Sequence, residues 1–383
     1  MIGTPDEVRT RGFNEALADA GLGPAEVLSY PELLRLETGP LEAMINEVDW
    51  VRIESPGRDR AVVDVVRAYA GSAWFHAAEY PGLAVQAAQP VTPKGVIDRP
   101  RLFSRGLCQA MVRIEHARRA GGDTPFLNAP EGIALACDKP GACAHLAQHG
   151  IGIPGPISDA DHECRSYDDV RNTMADVGCR RAFIKLSHGS GASGVVAYQF
   201  NATHELATTT VALHHGPDGV QLCNTRKIQR YDDSADIRML LDNLCPMGVY
   251  VERWVPKAGV NGRTTDLRVV TIAGEPRHTV LRLSRSPITN LHLLNERADP
   301  ALLRGQMRPT DWDAVMETSR QVARCFPQML YLGIDLAVHA DLRGHTVFEV
   351  NAFGDLLHGV THRGQSTYAA QLEALEQWGP HHA

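Results

Sequence analysis

The feature that most restricts this chain is a glycine loop with strand-like sequence on both sides. Residues Gly189 to Gly194 read G-S-G-A-S-G, a literal GxGxxG, and Val195-Val196-Ala197-Tyr198-Gln199-Phe200 follows. A dinucleotide-binding fingerprint needs a helix to open within the glycines, because the helix N-terminus holds the pyrophosphate. The residues after this loop are β-branched and aromatic instead, and those favour a pleated strand. The apolar run Ala182 to Leu186 precedes the loop, so the segment reads strand, loop, strand. That order excludes the Rossmann reading. It predicts a hairpin flap of the kind that lays backbone N–H groups over nucleotide phosphates. Lys185 stands on the first strand, four residues before the loop, where its ammonium reaches the same phosphates. The plain alternative for loop and lysine alone is an exposed surface hairpin.

A second constellation lies further along, on predicted strands Ile334 to His339 and Thr346 to Val350. Residues two apart on a strand share a face, so Glu349 and Asn351 point together and Val350 points away. With Asp335 on the neighbouring strand they make a hard oxygen set, suited to Mg²⁺ that also ligates substrate phosphates. Between flap and carboxylates come Asp266-Leu267-Arg268, Arg282 and Thr289-Asn290-Leu291-His292. Guanidinium forks such as Arg268 and Arg282 pair bidentately with phosphate oxygens. The stretch Tyr250 to Val255 supplies an adenine hinge in which Glu252 and backbone groups read the purine edge. Each feature has an ordinary counterpart: solvated acids on a polar face, arginines pointing into water, a strand end.

Composition sets the frame. At 383 residues the chain exceeds the roughly 150 expected per domain, so it divides into two or three units. With 44% hydrophobic and 22% charged residues it is neither disordered, collagen-like nor a coiled coil. The 38 Lys and Arg against 45 Asp and Glu give a charge of -7 with no basic run, which excludes nucleic acid as a partner. No stretch approaches the roughly 18 apolar residues of a membrane span, and the start lacks signal-peptide character, so no membrane partner and a cytoplasmic location are expected. The eight cysteines form no CxxC pair, which argues for reduced thiols rather than a zinc knuckle or a disulfide framework.

Patterning predicts helices over 12–21, 59–69 and 138–150 and from Asp168, the third capped by Asp138 with Pro140 in its first turn. A short strand is expected over 46–53, a connection over 81–100, and further strands over 194–200, 249–254, 267–273 and 278–283. The class is α/β at the start and α+β from about residue 180.

Asp138-Lys139, Phe183-Ile184-Lys185, the loop from Gly189 to Gly194, Val251-Glu252-Arg253-Trp254-Val255, Asp266-Leu267-Arg268, Arg282, Asn290-Leu291-His292, Gly333-Ile334-Asp335 and Glu349-Val350-Asn351 stand in the order found in the ATP-grasp superfamily. Over roughly residues 125 to 360 the chain most resembles the ribosomal-protein glutamate ligase and glutathione synthetase-like branch. The resemblance implies the ATP-grasp fold, with two α+β lobes enclosing the nucleotide. Its parts would be an N-terminal α/β domain over 1–105, a linker and helical central subdomain over 106–180, a small lobe with the flap over 181–255 and a large lobe with the metal site over 256–383.

The same resemblance implies ATP and a pair of Mg²⁺ ions as cofactors. Lys139 and Lys185 would hold the phosphates, and Gly189, Ser190, Gly191, Ala192, Ser193 and Gly194 would cover them. Glu252, Trp254 and Val255 would hold the base, and Asp335, Glu349 and Asn351 the metal. Arg268 and Arg282 would be catalytic, near the γ-phosphate and the reacting carboxylate, with Asn290, His292 and Asp355 on the substrate. The implied reaction joins a small-molecule or peptide carboxylate to an amine acceptor through an acylphosphate and forms ADP. Phosphorylation of a small-molecule hydroxyl, and nucleotide binding by a regulatory protein without catalysis, stay open beside it, as does a homodimer. The chain departs from the branch at Leu293-Leu294-Asn295, where glycines are usual, and at Ala352-Phe353-Gly354-Asp355, where a small residue and a proline are usual. His358 and His362 stand four apart, and contact with substrate is their expected role ahead of metal binding.

Overall fold

The computed structural model describes residues 1–57, 59–70, 95–122, 124–158, 163–189, 191–216, 219–290, 293, 295–353, 357–376 and 378. The chain opens with helices α1 (Val8–Asp19), α2 (Tyr30–Arg35), α3 (Thr38–Asn46), α4 (Arg60–Tyr69) and α5 (Pro100–Gly121). Helices α6 (Pro130–Cys137), α7 (Lys139–Gln148) and α8 (Tyr167–Asp176) follow. Then come β1 (Arg181–Leu186), β2 (Val196–Phe200), β3 (Glu205–Gly216), β4 (Gly219–Tyr231), α9 (Ser234–Leu244) and β5 (Val249–Arg253). The last part holds β6 (Gly259–Val260), β7 (Arg263–Ile272), β8 (Glu275–Ser284), β9 (Glu296–Ala298), α10 (Ala301–Arg304), α11 (Pro309–Arg324), β10 (Tyr331–Val338), β11 (His345–Asn351) and α12 (Thr367–Leu375).

These strands build two antiparallel sheets. One runs β4-β3-β2-β1-β5; the other runs β11-β10-β7-β8-β9, with β6 paired to β7. Helices α8 and α9 bury Val170, Met174, Ile237, Leu240, Leu241 and Leu244 against the first sheet. Burying each such side chain contributes roughly 1.5–3 kcal/mol relative to exposure, so one face of the sheet is committed to the core. The other face is left for a site. The larger sheet does the same, with Val315 and Val322 of α11 packed beneath Leu267, Val269, Leu336 and Val347.

At the start of the chain the expected strand over 46–53 is corrected. Leu41 and Ile45, four apart and both buried, keep α3 helical as far as Asn46. Val51 and Ile53 then make only isolated parallel bridges, to Phe126 and Ile2. The first helix also begins earlier than expected, at Val8. Asp59 caps α4 as its position suggests, accepting from Ala61 N at 2.8 Å. Helix α5 crosses the boundary expected after residue 105. Its Gly106 explains why: a Cβ there would lie 1.8 Å from the Val66 carbonyl, so this glycine lets α5 pack directly on the backbone of α4.

The expected strands over 249–254, 267–273, 278–283, 334–339 and 346–350 all correspond to observed strands, as do both sides of the glycine loop. The long β3-β4 hairpin and α9 fill the stretch between flap and hinge for which the sequence offered no pattern. Most of the expected connection over 81–100 lies outside the described residues. All eight cysteines are free thiols. Among the described residues, no helix is long and apolar enough to cross a membrane.

Candidate active site

Register brings the site together. On the smaller sheet Phe183 pairs with Glu252 and Lys185 with Tyr250, so all four side chains share one face. Lys185 reaches diagonally to form an ion pair with Glu252. On the larger sheet Glu349 pairs with Asp335, Asp335 with Arg268, and Asp266 with Arg282. Asn351 lies two residues from Glu349 on the same face, while Val350 is buried on the other, as alternation requires.

These charges form a continuous network. Arg268 donates to both oxygens of Asp335, the second at 2.9 Å. Arg282 donates to Asp266 at 2.6 Å through Nε and places Nη2 3.2 Å from Asp335. Lys257 donates to the Thr289 hydroxyl at 2.8 Å and lies 3.6 Å from Asp266, to which that hydroxyl donates in turn.

The flap is held from two sides. Lys139, at the start of α7, donates to the Gly189 carbonyl and lies 3.8 Å from Glu349, so it links the loop to the larger sheet. The Thr210 hydroxyl on β3 donates to the Ala192 carbonyl at 2.8 Å. Gly194 has φ +65, and a Cβ there would come within 2.6 Å of Leu186. A glycine is required at that position on both counts.

Both sheets, α7 and the flap enclose one cavity of about 600 Å³, within the range of small-molecule sites. Of the residues expected at the site, Lys139, Lys185, Gly189, Gly191, Ala192, Ser193, Glu252, Val255, Arg268, Arg282, Asn290, Asp335, Glu349 and Asn351 line it. Gly194 sits behind the loop against Leu186. Trp254 is not among the lining residues: its ring packs on Phe183 at 5.0 Å between centroids, with Arg181 4.3 Å from the indole. Ser190, His292 and Asp355 lie outside the described residues. His358 lines the cavity, whereas His362 packs against His278.

Sequence reasoning missed Lys257, Thr210, Glu7 and Arg9, and gave no role to Asp266 or Thr289. A lysine beside Pro256 at a strand end carries no signal of burial, whereas Asp266 and Thr289 stood inside motifs already singled out.

Burial and pairing set the charges. Burial acts against the ammonium of Lys185, yet Glu252 and Glu349 outweigh it and raise its pKa. Glu252 is pushed up by burial and partly restored by Lys185. Burial draws Lys257 below the ordinary lysine range, with Asp266 opposing. For Asp335, burial would raise the pKa, but Arg268 and Arg282 hold it far below the usual carboxylate range. Three buried atoms of the lining residues, Glu252 Oε2, Arg268 Nη1 and His188 Nδ1, have no hydrogen-bond partner among the described residues. Buried polar groups normally have one, so each marks a place where a ligand atom would complete the site.

No family model matches the sequence, and no curated protein matches it. Among solved structures the chain is similar to the D-cycloserine synthetase DcsG, at 15% identity with 98% of each chain covered and a TM-score of 0.55. It is similar to the ATP-grasp ligase PsnB complexed with minimal precursor, Mg and ADP, at 16% identity with 98% of this chain and 96% of that one covered and a TM-score of 0.52. It is also similar to the macrocyclase MdnC from Microcystis aeruginosa MRC, bound with precursor peptide MdnA, at 12% identity with 99% of each chain covered and a TM-score of 0.52. At such identities the likeness speaks for architecture alone, and by that measure the chain has the ATP-grasp fold.

Proposed function

We propose that this chain is an ATP- and Mg²⁺-dependent ligase that activates a carboxylate as an acylphosphate for attack by an amine, releasing ADP and phosphate. One observation carries the reading: Lys139, Lys185, Arg268, Arg282, Glu349 and Asn351, from α7 and two separate sheets, line a single cavity beneath a glycine flap. The ATP-grasp fold, and the Mg and ADP in the PsnB complex, support it.

The residues fit the groups they would hold. Glu252 Oε2, buried and unpartnered, suits an exocyclic amine of the base, beside the apolar surfaces of Phe183, Val255 and Phe348. Trp254 backs that pocket through Phe183. Lys139 and Lys185 suit phosphate oxygens, and the flap would supply backbone N–H groups. Glu349 and Asn351, with Asp335 behind them, offer the hard oxygen donors that Mg²⁺ takes together with substrate phosphates. When bound, the metal would neutralise charge on the phosphates.

In the first step a substrate carboxylate oxygen bonds to the γ-phosphorus and the bond to the β–γ bridging oxygen breaks, so ADP leaves. Arg268 and Arg282 orient the carboxylate and balance charge on the phosphoryl group, with Arg268 Nη1 free to donate. In the second step the amine nitrogen bonds to the acyl carbon, the carbon–oxygen bond to phosphate breaks, and the amine gives up a proton. Nothing in this chemistry needs an activated serine or cysteine. Positioning and charge neutralisation do the work. The eight free thiols suit the cytoplasm, where we place the protein.

The test is chemical. Full-length protein with Mg²⁺, ATP and panels of carboxylates and amines should release ADP and phosphate, and hydroxylamine in place of the amine should yield a hydroxamate. AMP and pyrophosphate would contradict the mechanism. A stable phosphate ester with no hydroxamate would make the protein a kinase instead.

A further inference from the structure

The cavity is not finished by the groups that suit a nucleotide. Its N-terminal wall carries one anion and one cation, Glu7 and Arg9. That wall is firmly placed. The Thr4 hydroxyl donates to the Pro56 carbonyl at 2.8 Å, and the Thr10 hydroxyl donates to the Thr4 carbonyl at 2.8 Å. Asp6, at φ +61, turns the chain into α1.

Glu7 occupies the N-cap position of α1, yet its side chain makes no capping bond. Its carboxylate lies against Gly57, where a Cβ would come within 2.7 Å of Oε1. Gly57 has φ +81, so a side chain there would be strained and would also displace the acid. Arg9 is half-buried and, among the described residues, makes no hydrogen bond or ion pair. Behind them Arg52, fully buried, is held by Glu54 at 2.6 Å and by Gln371 at 2.5 Å, while Glu54 Oε2 and Gln371 Nε2 are buried without a hydrogen-bond partner.

Two unpaired charges of opposite sign on one cavity wall call for a ligand that brings the complementary pair. A guanidinium fork matches a carboxylate, and a carboxylate accepts from an ammonium. We infer that Arg9 and Glu7 recognise the zwitterionic head of a free α-amino acid, its carboxylate on Arg9 and its ammonium on Glu7. The remainder of that molecule extends toward Arg268 and Arg282. The inference rests on the ligase reading and names the class of one of its two substrates.

The test uses the full chain with Mg²⁺ and the non-hydrolysable analogue AMPPNP. Uptake of the nucleotide is titrated first, and each protein amino acid is then titrated alongside its N-acetyl and C-amide forms. Some free amino acids should bind, and blocking either end should weaken them at least about tenfold, as expected for a lost charge-assisted contact. In Arg9→Ala the free acid and its amide should bind equally weakly. In Glu7→Gln the free amine and its acetyl form should do so. Unchanged AMPPNP uptake verifies that both variants are folded. Binding of no free amino acid, blocked forms binding as well as free ones, or variants that keep the discrimination would each overturn the inference. A wild-type chain that takes up AMPPNP but ignores all amino acids contradicts this inference alone. One that takes up no AMPPNP contradicts the ligase reading and this inference with it.

Discussion

Asp335 gives both carboxylate oxygens to Arg268, and Arg282 Nη2 lies 3.2 Å from the second of them. The acid expected to face a metal is therefore also the anchor of the two arginines expected to face a phosphoryl group. A phosphate entering the cavity would compete with Asp335 for guanidinium donors that are already aligned, so little reorganisation is needed at the moment of transfer.

Replacing Asp335 by Asn should destabilise the fold by about 3–5 kcal/mol, because two buried guanidinium groups lose their shared counter-charge. Urea unfolding measures this. The pH dependence has a definite sign: the folded pKa of Asp335 is depressed below the roughly 3.9 of a free aspartate. Its contribution is then fully present above that value and is lost as pH falls through the lower folded pKa. The gap between wild type and variant should stay constant from pH 5 to pH 8. A gap that closes by pH 6 would assign the stability elsewhere.

Lys185→Ala should weaken nucleotide binding at least about tenfold and also lower stability, because it strands the buried Glu252 carboxylate. Adding Glu252→Gln should restore most of the stability and none of the affinity. Calorimetric titration and thermal unfolding across the double-mutant cycle separate the two roles.

Gly194→Ala should loosen the flap. The substitution carries roughly 1–2 kcal/mol of left-handed strain and a collision with Leu186. The KM for ATP should rise several-fold, while the melting temperature falls only slightly. A variant with unchanged KM would show that the loop does not touch the nucleotide.

Glu349→Gln should raise the Mn²⁺ concentration needed for half-maximal nucleotide binding by about tenfold, since it removes the most accessible carboxylate of the oxygen set. Electron paramagnetic resonance of free Mn²⁺ reads this directly. A chelator should release bound nucleotide from the wild type.

What the sequence disclosed follows from the strength of local pattern. The strands flanking the flap and the pair β10-β11 were legible because apolar residues run through them and alternation fixed which side Glu349 and Asn351 face. The β3-β4 hairpin was not, because β3 buries a run of threonines, Thr208 to Thr210, and β4 has almost no buried positions to mark a period. Helix α5 was not read from the sequence, and its Gly106 serves as a point of close approach to the Val66 backbone. At the site, adjacent strands revealed the carboxylates, while Lys257, Glu7 and Arg9 depend on contacts between segments distant in the chain. Trp254 was named for a position whose side chain turns onto Phe183 rather than into the cavity.

The central claim is that the two sheets grip one nucleotide, and Lys185 and Glu349 stand on different sheets. The most direct measurement is calorimetric titration of Mg²⁺-AMPPNP into wild type, Lys185→Ala and Glu349→Gln. The account predicts a single saturable site in the wild type and at least about tenfold weaker binding in each variant. A wild type that does not bind, or a Glu349→Gln protein that binds as tightly as the wild type while Lys185→Ala does not, would contradict it.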